Sequence, residues 1–192
     1  DELSIVGANN VLNALAASAA ALACGASVAG VCSGLREFKP LPHRLEPVDT
    51  VDGVRYVNDS KATNTDAVLT ALAAFDGARI VLLLGGSDKG TPLEEFMAVV
   101  ASRVACVVCF GEARERLRTA LMDAPGATDI DIAEAEDLRD AVDVARSLAQ
   151  RGDRVLLPPA CASFDEFSGF EERGEAFRSY VADLAALSEA EA

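Results

Sequence analysis

The stretch Arg79-Ile80-Val81-Leu82-Leu83-Leu84-Gly85-Gly86-Ser87-Asp88-Lys89-Gly90-Thr91-Pro92-Leu93-Glu94 decides the fold class. From Ile80 to Leu84 it is apolar without a break. A strand wet on one side alternates apolar and polar residues, so an unbroken run reads as a strand covered on both faces, as in a parallel sheet. Glycines follow at once, where a chain must turn sharply. Thr91-Pro92-Leu93-Glu94 then has the form of a capping box with proline at the first helical position, predicting a helix to Ala101. Ligands of open parallel sheets bind beyond the C-terminal ends of the strands.

The same rhythm extends outward. Toward the C-terminus, strands are expected at Val104–Phe110, Ile130–Ala133 and Arg154–Leu157. Helices are expected at Glu112–Met122, Leu138–Gln150 and Glu171–Leu187, with an Ala/Glu tail frayed beyond Leu187. Toward the N-terminus lies a helix over Asn64–Phe75, preceded by strand-like Arg44–Val51 and Val54–Asn58 around Asp52-Gly53, a hairpin turn signal. Lys39-Pro40-Leu41-Pro42 reads as a linker. Before it, Ser27–Phe38 and Asn10–Ala23 read as helices, the latter capped by Asn10 and stopped by Gly25. The predicted fold is α/β: a Rossmann-like open, mostly parallel sheet with helices on both faces, preceded by a short helical segment.

Composition narrows the function. Hydrophobic residues make up 51% of 192, enough for a substantial core, and the formal net charge is −14. Spread-out acidity argues against a nucleic-acid partner, which demands a basic face. No apolar run approaches the ~20 residues of a membrane span, and Ala14–Ala23 is too short. The chain starts at Asp1 without an initiator Met or signal peptide, as expected for a fragment. Five cysteines, Cys24, Cys32, Cys106, Cys109 and Cys161, sit in apolar settings and suit a reducing cytosol. Cys106-Val-Val-Cys109 matches C-x-x-C, but on a strand positions three apart face opposite ways. Buried core thiols are expected there, and no metal site.

Three loops at predicted strand ends are rich in chemistry. Asn58-Asp59-Ser60-Lys61-Ala62-Thr63-Asn64 gathers a carboxylate, an ammonium, hydroxyls and amides, although Thr63 or Asn64 could simply cap the next helix and Asp59–Lys61 could be a surface ion pair. In the Gly85–Thr91 loop, backbone N–H groups and Lys89 could hold an anion, or the glycines could merely turn the chain. In Pro158-Pro159-Ala160-Cys161-Ala162-Ser163-Phe164-Asp165, continuing to Phe167, Phe170, Arg173 and Gly174, prolines and small residues stiffen the backbone. Its phenylalanines, Phe164, Phe167 and Phe170, read more readily as core than as site residues. Ser163 has no histidine beside it, the sole histidine being His43. Neither a G-x-G-x-x-G nor a G-x-x-x-x-G-K-[ST] occurs, so dinucleotide binding and an ATP phosphate cradle have no support in this stretch.

Taken together these residues resemble the D-glutamate-adding Mur ligases, the UDP-N-acetylmuramoyl-L-alanine:D-glutamate ligases. The matching segments are Asn10–Ala17, Leu41–Glu46, Asn58–Asn64, Leu82–Gly86 with Lys89, and Pro159–Asp165 through Phe170–Gly174, in order and spacing. The resemblance runs from about Gly7 to Leu187. Asn9 and Pro158 depart from it, standing where the family usually has His and Ser.

The resemblance implies a cytoplasmic, ATP- and Mg²⁺-dependent ligase of cell-wall precursor synthesis. It would join D-glutamate to UDP-N-acetylmuramoyl-L-alanine through an acyl phosphate. Residues 1–40 would be the helical tail of a central ATPase domain and residues 41–192 a Rossmann-like C-terminal domain. The P-loop and metal ligands would lie elsewhere in the protein, leaving this stretch alone inactive. By resemblance Asn13 contacts adenine, Arg44 a nucleotide phosphate and Asp59 the ribose. Lys61 stands beside the transferred phosphate, and Thr63, Lys89, Ser163, Phe164 and Phe170 form the D-glutamate pocket. Two other classes stay open on sequence: a binding module that kept the fold, and an amide ligase for another amino acid.

Overall fold

The computed structural model describes residues 7–191. A six-stranded sheet runs in the order β1-β2-β6-β3-β4-β5. Its strands are β1 (Glu46–Val51), β2 (Val54–Asn58), β3 (Ile80–Gly85), β4 (Cys106–Phe110), β5 (Asp131–Glu134) and β6 (Arg154–Leu157). Only the β1–β2 hairpin is antiparallel; all other neighbours are parallel. The helices are α1 (Ala8–Ala23), α2 (Val28–Glu37), α3 (Thr65–Ala73), α4 (Glu94–Arg103), α5 (Arg114–Met122), α6 (Leu138–Leu148) and α7 (Phe170–Glu191). The α/β class read from the sequence is the observed one.

Both faces of the sheet are covered, as the unbroken apolar strands require. On one face Leu82, Leu84, Val107, Cys109 and Leu156 pack against Val68 and Leu72 of α3, Met97 and Val100 of α4, and Leu117 and Leu121 of α5. On the other, Val81, Leu83, Cys106, Val108, Val155 and Leu157 meet Leu138 and Val142 of α6 and Phe177, Val181 and Leu184 of α7. Cys106 and Cys109 therefore lie on opposite faces, and burial drives their thiols up to about 11 and about 12. Among the described residues no group of three or more His, Cys, Asp or Glu could hold a metal ion. Cys24 and Cys32 are exposed, unlike the other three cysteines.

The ends of several helices differ from the sequence reading. Helix α1 begins at Ala8 after Gly7, so Asn10 lies inside it rather than capping it. The Thr91 capping box does not form: α4 starts at Glu94, and its cap residue Leu93 makes no side-chain bond. Instead the Glu94 carboxylate accepts the Leu93 N–H, and the Thr91 carbonyl accepts from the Arg116 guanidinium of α5. Helix α7 does not fray after Leu187 but continues to Glu191, with Ser188 donating to the Asp52 carboxylate across to the hairpin. Helices α1 and α2 pack on each other and expose Leu12, Leu15 and Val28, each more than 60% accessible.

Candidate functional site

Strands β2, β6 and β3 are neighbours and parallel, so the loops that follow them leave the same edge of the sheet side by side. These are the three loops that the sequence marks out. Hydrogen bonding continues past the strand ends and laces them together. Asp59 N–H donates to Leu157 O at 3.1 Å, Ala160 N–H to Ala62 O at 3.0 Å, Gly85 N–H to Pro159 O at 3.0 Å and Ser87 N–H to Ala162 O at 2.9 Å. Gly86 is needed for this fit. Its φ is +124°, and a Cβ would stand 2.1 Å from the Ala162 carbonyl oxygen.

Asn13, Arg44, Asp59 and Lys61 line one cleft of about 350 Å³, roofed by the start of α1 and floored by alanines of α3. Arg44 reaches it from an unusual turn. His43 and Leu45 on either side both have positive φ, 61° and 45°, a conformation that L residues adopt only when neighbours hold it. Here Leu45 N–H donates to Asp59 Oδ1 at 3.1 Å and Lys61 N–H to His43 O at 3.2 Å. The cleft thus rests on one lattice of bonds between the Arg44 turn and the first loop. Burial pushes the Asp59 carboxyl up to about 7; the Leu45 N–H and the nearby Arg44 charge oppose this but do not cancel it. A carboxylate kept out of water in this way is a common sign of a functional group.

The remaining candidates lie just beyond. Lys89 Nζ donates to Thr63 O at 2.8 Å, closing the second loop on the first. Lys61 Nζ stands 3.8 Å from the centre of the Phe170 ring, a cation–π contact between the first loop and the start of α7. Ser163 is buried, and its carbonyl accepts Phe167 N–H at 2.8 Å in a turn of the third loop. Phe164 is 72% exposed, against the core reading of that residue. Phe167 packs against the core as a partly buried ring, and Phe170 faces Lys61.

Two residues without a role in the sequence reading hold the site. Arg173 is 1% exposed, and its hydrogen bonds among the described residues go to a hydroxyl and carbonyls rather than to a carboxylate. Its guanidinium donates to Ser60 Oγ at 3.0 Å, Ser60 O at 3.0 Å, Ala162 O at 3.0 Å and Cys161 O at 3.1 Å, stitching the first loop to the third. Burial lowers its pKa to about 10, which still leaves it charged at neutral pH. Its signal was an arginine in the buried stripe Phe177, Val181, Leu184 of α7, four residues before the first of them. His43 is also buried, wedged beside Phe170 in an edge-on contact with ring centres 6.1 Å apart. Asn58 Nδ2 lies 3.0 Å from His43 Nδ1, 3.1 Å from Glu46 Oε2 and 3.2 Å from Gly174 O. The amide nitrogen donates toward the two oxygens and lies against the His43 ring nitrogen.

The arrangement is a two-part candidate site: a cleft with a cation, a carboxylate and an amide, and beside it a lysine-bearing rim. Known proteins resemble the chain as a whole. The family model "Mur ligase, glutamate ligase domain" matches residues 43–161. The UDP-N-acetylmuramoylalanine--D-glutamate ligase of Rubrobacter xylanophilus is 48% identical over 176 residues, 92% of this chain and 39% of that protein. The protein of the same name from Pelotomaculum thermopropionicum is 46% identical over 184 residues, 96% of this chain and 40% of that protein. The chain thus spans about two fifths of the length of these relatives. Among solved structures, a pseudomurein peptide ligase type C from Methanothermus fervidus aligns with a TM-score of 0.69 at 18% identity, over 95% of this chain and 37% of that one. The Mycobacterium tuberculosis folylpolyglutamate synthase aligns with a TM-score of 0.66 at 22% identity, over 93% and 41%. These two share the fold. On the family match over most of its length, this chain belongs to the Mur ligase family, as a glutamate ligase domain.

Proposed function

We propose that this chain is the C-terminal part of a cytoplasmic, ATP-dependent ligase that adds D-glutamate to UDP-N-acetylmuramoyl-L-alanine in peptidoglycan precursor synthesis. Residues 1–40 are then the helical tail of the central ATPase domain and residues 41–192 the amino-acid-binding domain. The observation that carries the reading is the convergence of Asp59, Lys61, Thr63 and Lys89 at one edge of the sheet, beside a cleft that Arg44 and Asn13 also line. The names of relatives up to 48% identical support the choice of amino acid.

In this reading ATP phosphorylates the carboxylate of the UDP-linked substrate, giving an acyl phosphate and ADP. The amine of D-glutamate attacks the acyl carbon, the C–N bond forms and phosphate leaves. The chemistry needs crowded negative charge neutralised and an amine aligned with a carbonyl. Asn13 holds adenine at one end of the cleft, Asp59 accepts from the ribose hydroxyls, and Arg44 pairs with a nucleotide phosphate. Lys61, oriented by the Phe170 ring, stands beside the transferred phosphate. Thr63, Lys89 and Ser163 meet D-glutamate, with Phe170 and the exposed Phe164 as apolar walls. Mg²⁺ supplies charge neutralisation to such a reaction, but no described carboxylate cluster here fits it, so no step is assigned to it. The test is ADP formation by the full-length protein with UDP-N-acetylmuramoyl-L-alanine. Dependence on D-glutamate, and not on L-glutamate, is expected. ADP formation indifferent to D-glutamate would overturn the reading.

A further inference from the structure

Lys89 sits on a side chain with four rotatable bonds, in a loop of small residues, and such a charge is a poor anchor unless its backbone is fixed. One side chain from outside the three loops fixes it. Arg116, on α5, donates from Nη1 to Asp88 Oδ1 at 2.9 Å and from Nη2 to Thr91 O at 2.5 Å. The same Asp88 oxygen accepts Gly90 N–H at 2.9 Å. One guanidinium therefore grips the residue before Lys89 and the carbonyl two residues after it, spanning the turn that carries the ammonium. It also covers the one carboxylate adjacent to Lys89 in sequence. Left bare, Asp88 would repel an anion approaching Lys89.

We infer that Arg116 is a positioning residue for Lys89, a staple that presets the anion-binding loop and neutralises Asp88 beside it. The inference rests on the proposed reading of Lys89 as a contact to the D-glutamate carboxylates. The planar fork suits both acceptors at once, which a lysine cannot do. The ion pair is partly exposed, at 39% and 28% of the two side chains. Exposed pairs add little to folding stability, so its effect belongs in binding.

The experiment uses the full-length protein with Arg116→Met, Arg116→Lys, Asp88→Asn and the double variant Arg116→Met/Asp88→Asn. Arg116→Met is expected to raise the KM for D-glutamate by roughly 10-fold, the loss of one preorganised charge contact. The KM for ATP, kcat and the melting temperature should stay near wild type. Arg116→Lys should fall between, and adding Asp88→Asn to Arg116→Met should recover part of the loss by removing the bare carboxylate. A D-glutamate KM within about twofold of wild type in Arg116→Met would overturn the staple, since a contact of this kind costs more. If the wild-type protein shows no D-glutamate-dependent turnover, the proposed function fails instead. Hydrogen exchange of the Ser87–Thr91 segment then decides the staple on its own. Faster exchange there in Arg116→Met supports it, and unchanged exchange refutes it.

Discussion

At the scale of single residues, Asp59 shows burial opposed by a hydrogen bond and a nearby charge. Removal from water raises its carboxyl to about 7. Below the ordinary carboxylate range both the folded and unfolded chains hold the proton. Between that range and about 7 the folded chain holds it more tightly, so this group's contribution to stability falls as pH rises through the window and is gone above it. Asp59→Asn keeps the oxygen that accepts from Leu45 and removes the charge. It should be more stable than wild type at about pH 8, with a flatter melting temperature between about pH 4 and pH 7. In the full-length protein it should bind ATP more weakly. Thermal melts across that range check the first claim, and equal stability of both proteins at the upper end would contradict it. Arg173 makes the opposite prediction. A lysine there keeps the charge but cannot reach carbonyls on both loops, so Arg173→Lys should cost ~2–4 kcal/mol in chemical denaturation. The placing of Asp59, Lys61 and Lys89 in loops at one sheet edge was legible in the sequence because polar side chains crowd the segments that follow apolar strands. His43 and Arg173 were not, because their partners come from remote segments: Asn58 lies 15 residues from His43, and Ser60 lies 113 from Arg173.

Two glycines show how elements are specified differently by propensity and by packing. Gly34 lies in α2, and a Cβ there would meet nothing within 4 Å. Alanine should stabilise that helix by ~0.5–1 kcal/mol. Gly174 lies in α7, where a Cβ would stand 2.1 Å from His43 Nδ1. Alanine carries the same helical advantage there but must displace a buried ring bonded to Asn58. We expect Gly174→Ala to destabilise by about 2 kcal/mol or more, as overpacking does. Denaturation midpoints of the two variants should therefore move in opposite directions; a shared sign would show that packing around His43 is loose. The elements themselves were legible wherever a pattern was long or buried. Strand Arg154–Leu157 lies where the sequence reading put it, and the Asp52-Gly53 turn closes the β1–β2 hairpin. Local signals failed where distant groups hold the backbone beside the signal. Thr91 has the chemistry of a cap, but Arg116 and the Asp88 turn hold that backbone back, and the helix waits until Glu94.

Over the whole molecule, the sheet's topology does the assembling. Loops separated by up to a hundred residues meet because β2, β6 and β3 are adjacent and parallel. The apolar strands made the fold class legible, but strand order was not, since periodicity says nothing of which strands pair. The α1–α2 pair is built differently from the sheet layers: α2 has no buried residue, and Leu12, Leu15 and Val28 stand exposed. Its amides should exchange much faster than those of β3 and β4, and equal protection would contradict the proposal that this pair is the tail of a larger domain. The central claim is that the lysine-bearing rim binds D-glutamate, and NMR titration of this chain with both enantiomers tests it most directly. Affinity should be weak, near the millimolar range or about −4 kcal/mol, because the carboxylates stay solvated in an open site. D-Glutamate should shift the amides around Thr63, Lys89 and Ser163, Lys89→Ala should abolish the shifts, and L-glutamate should give smaller ones. Equal shifts for both enantiomers, or shifts mapping elsewhere on the sheet, would contradict the assignment.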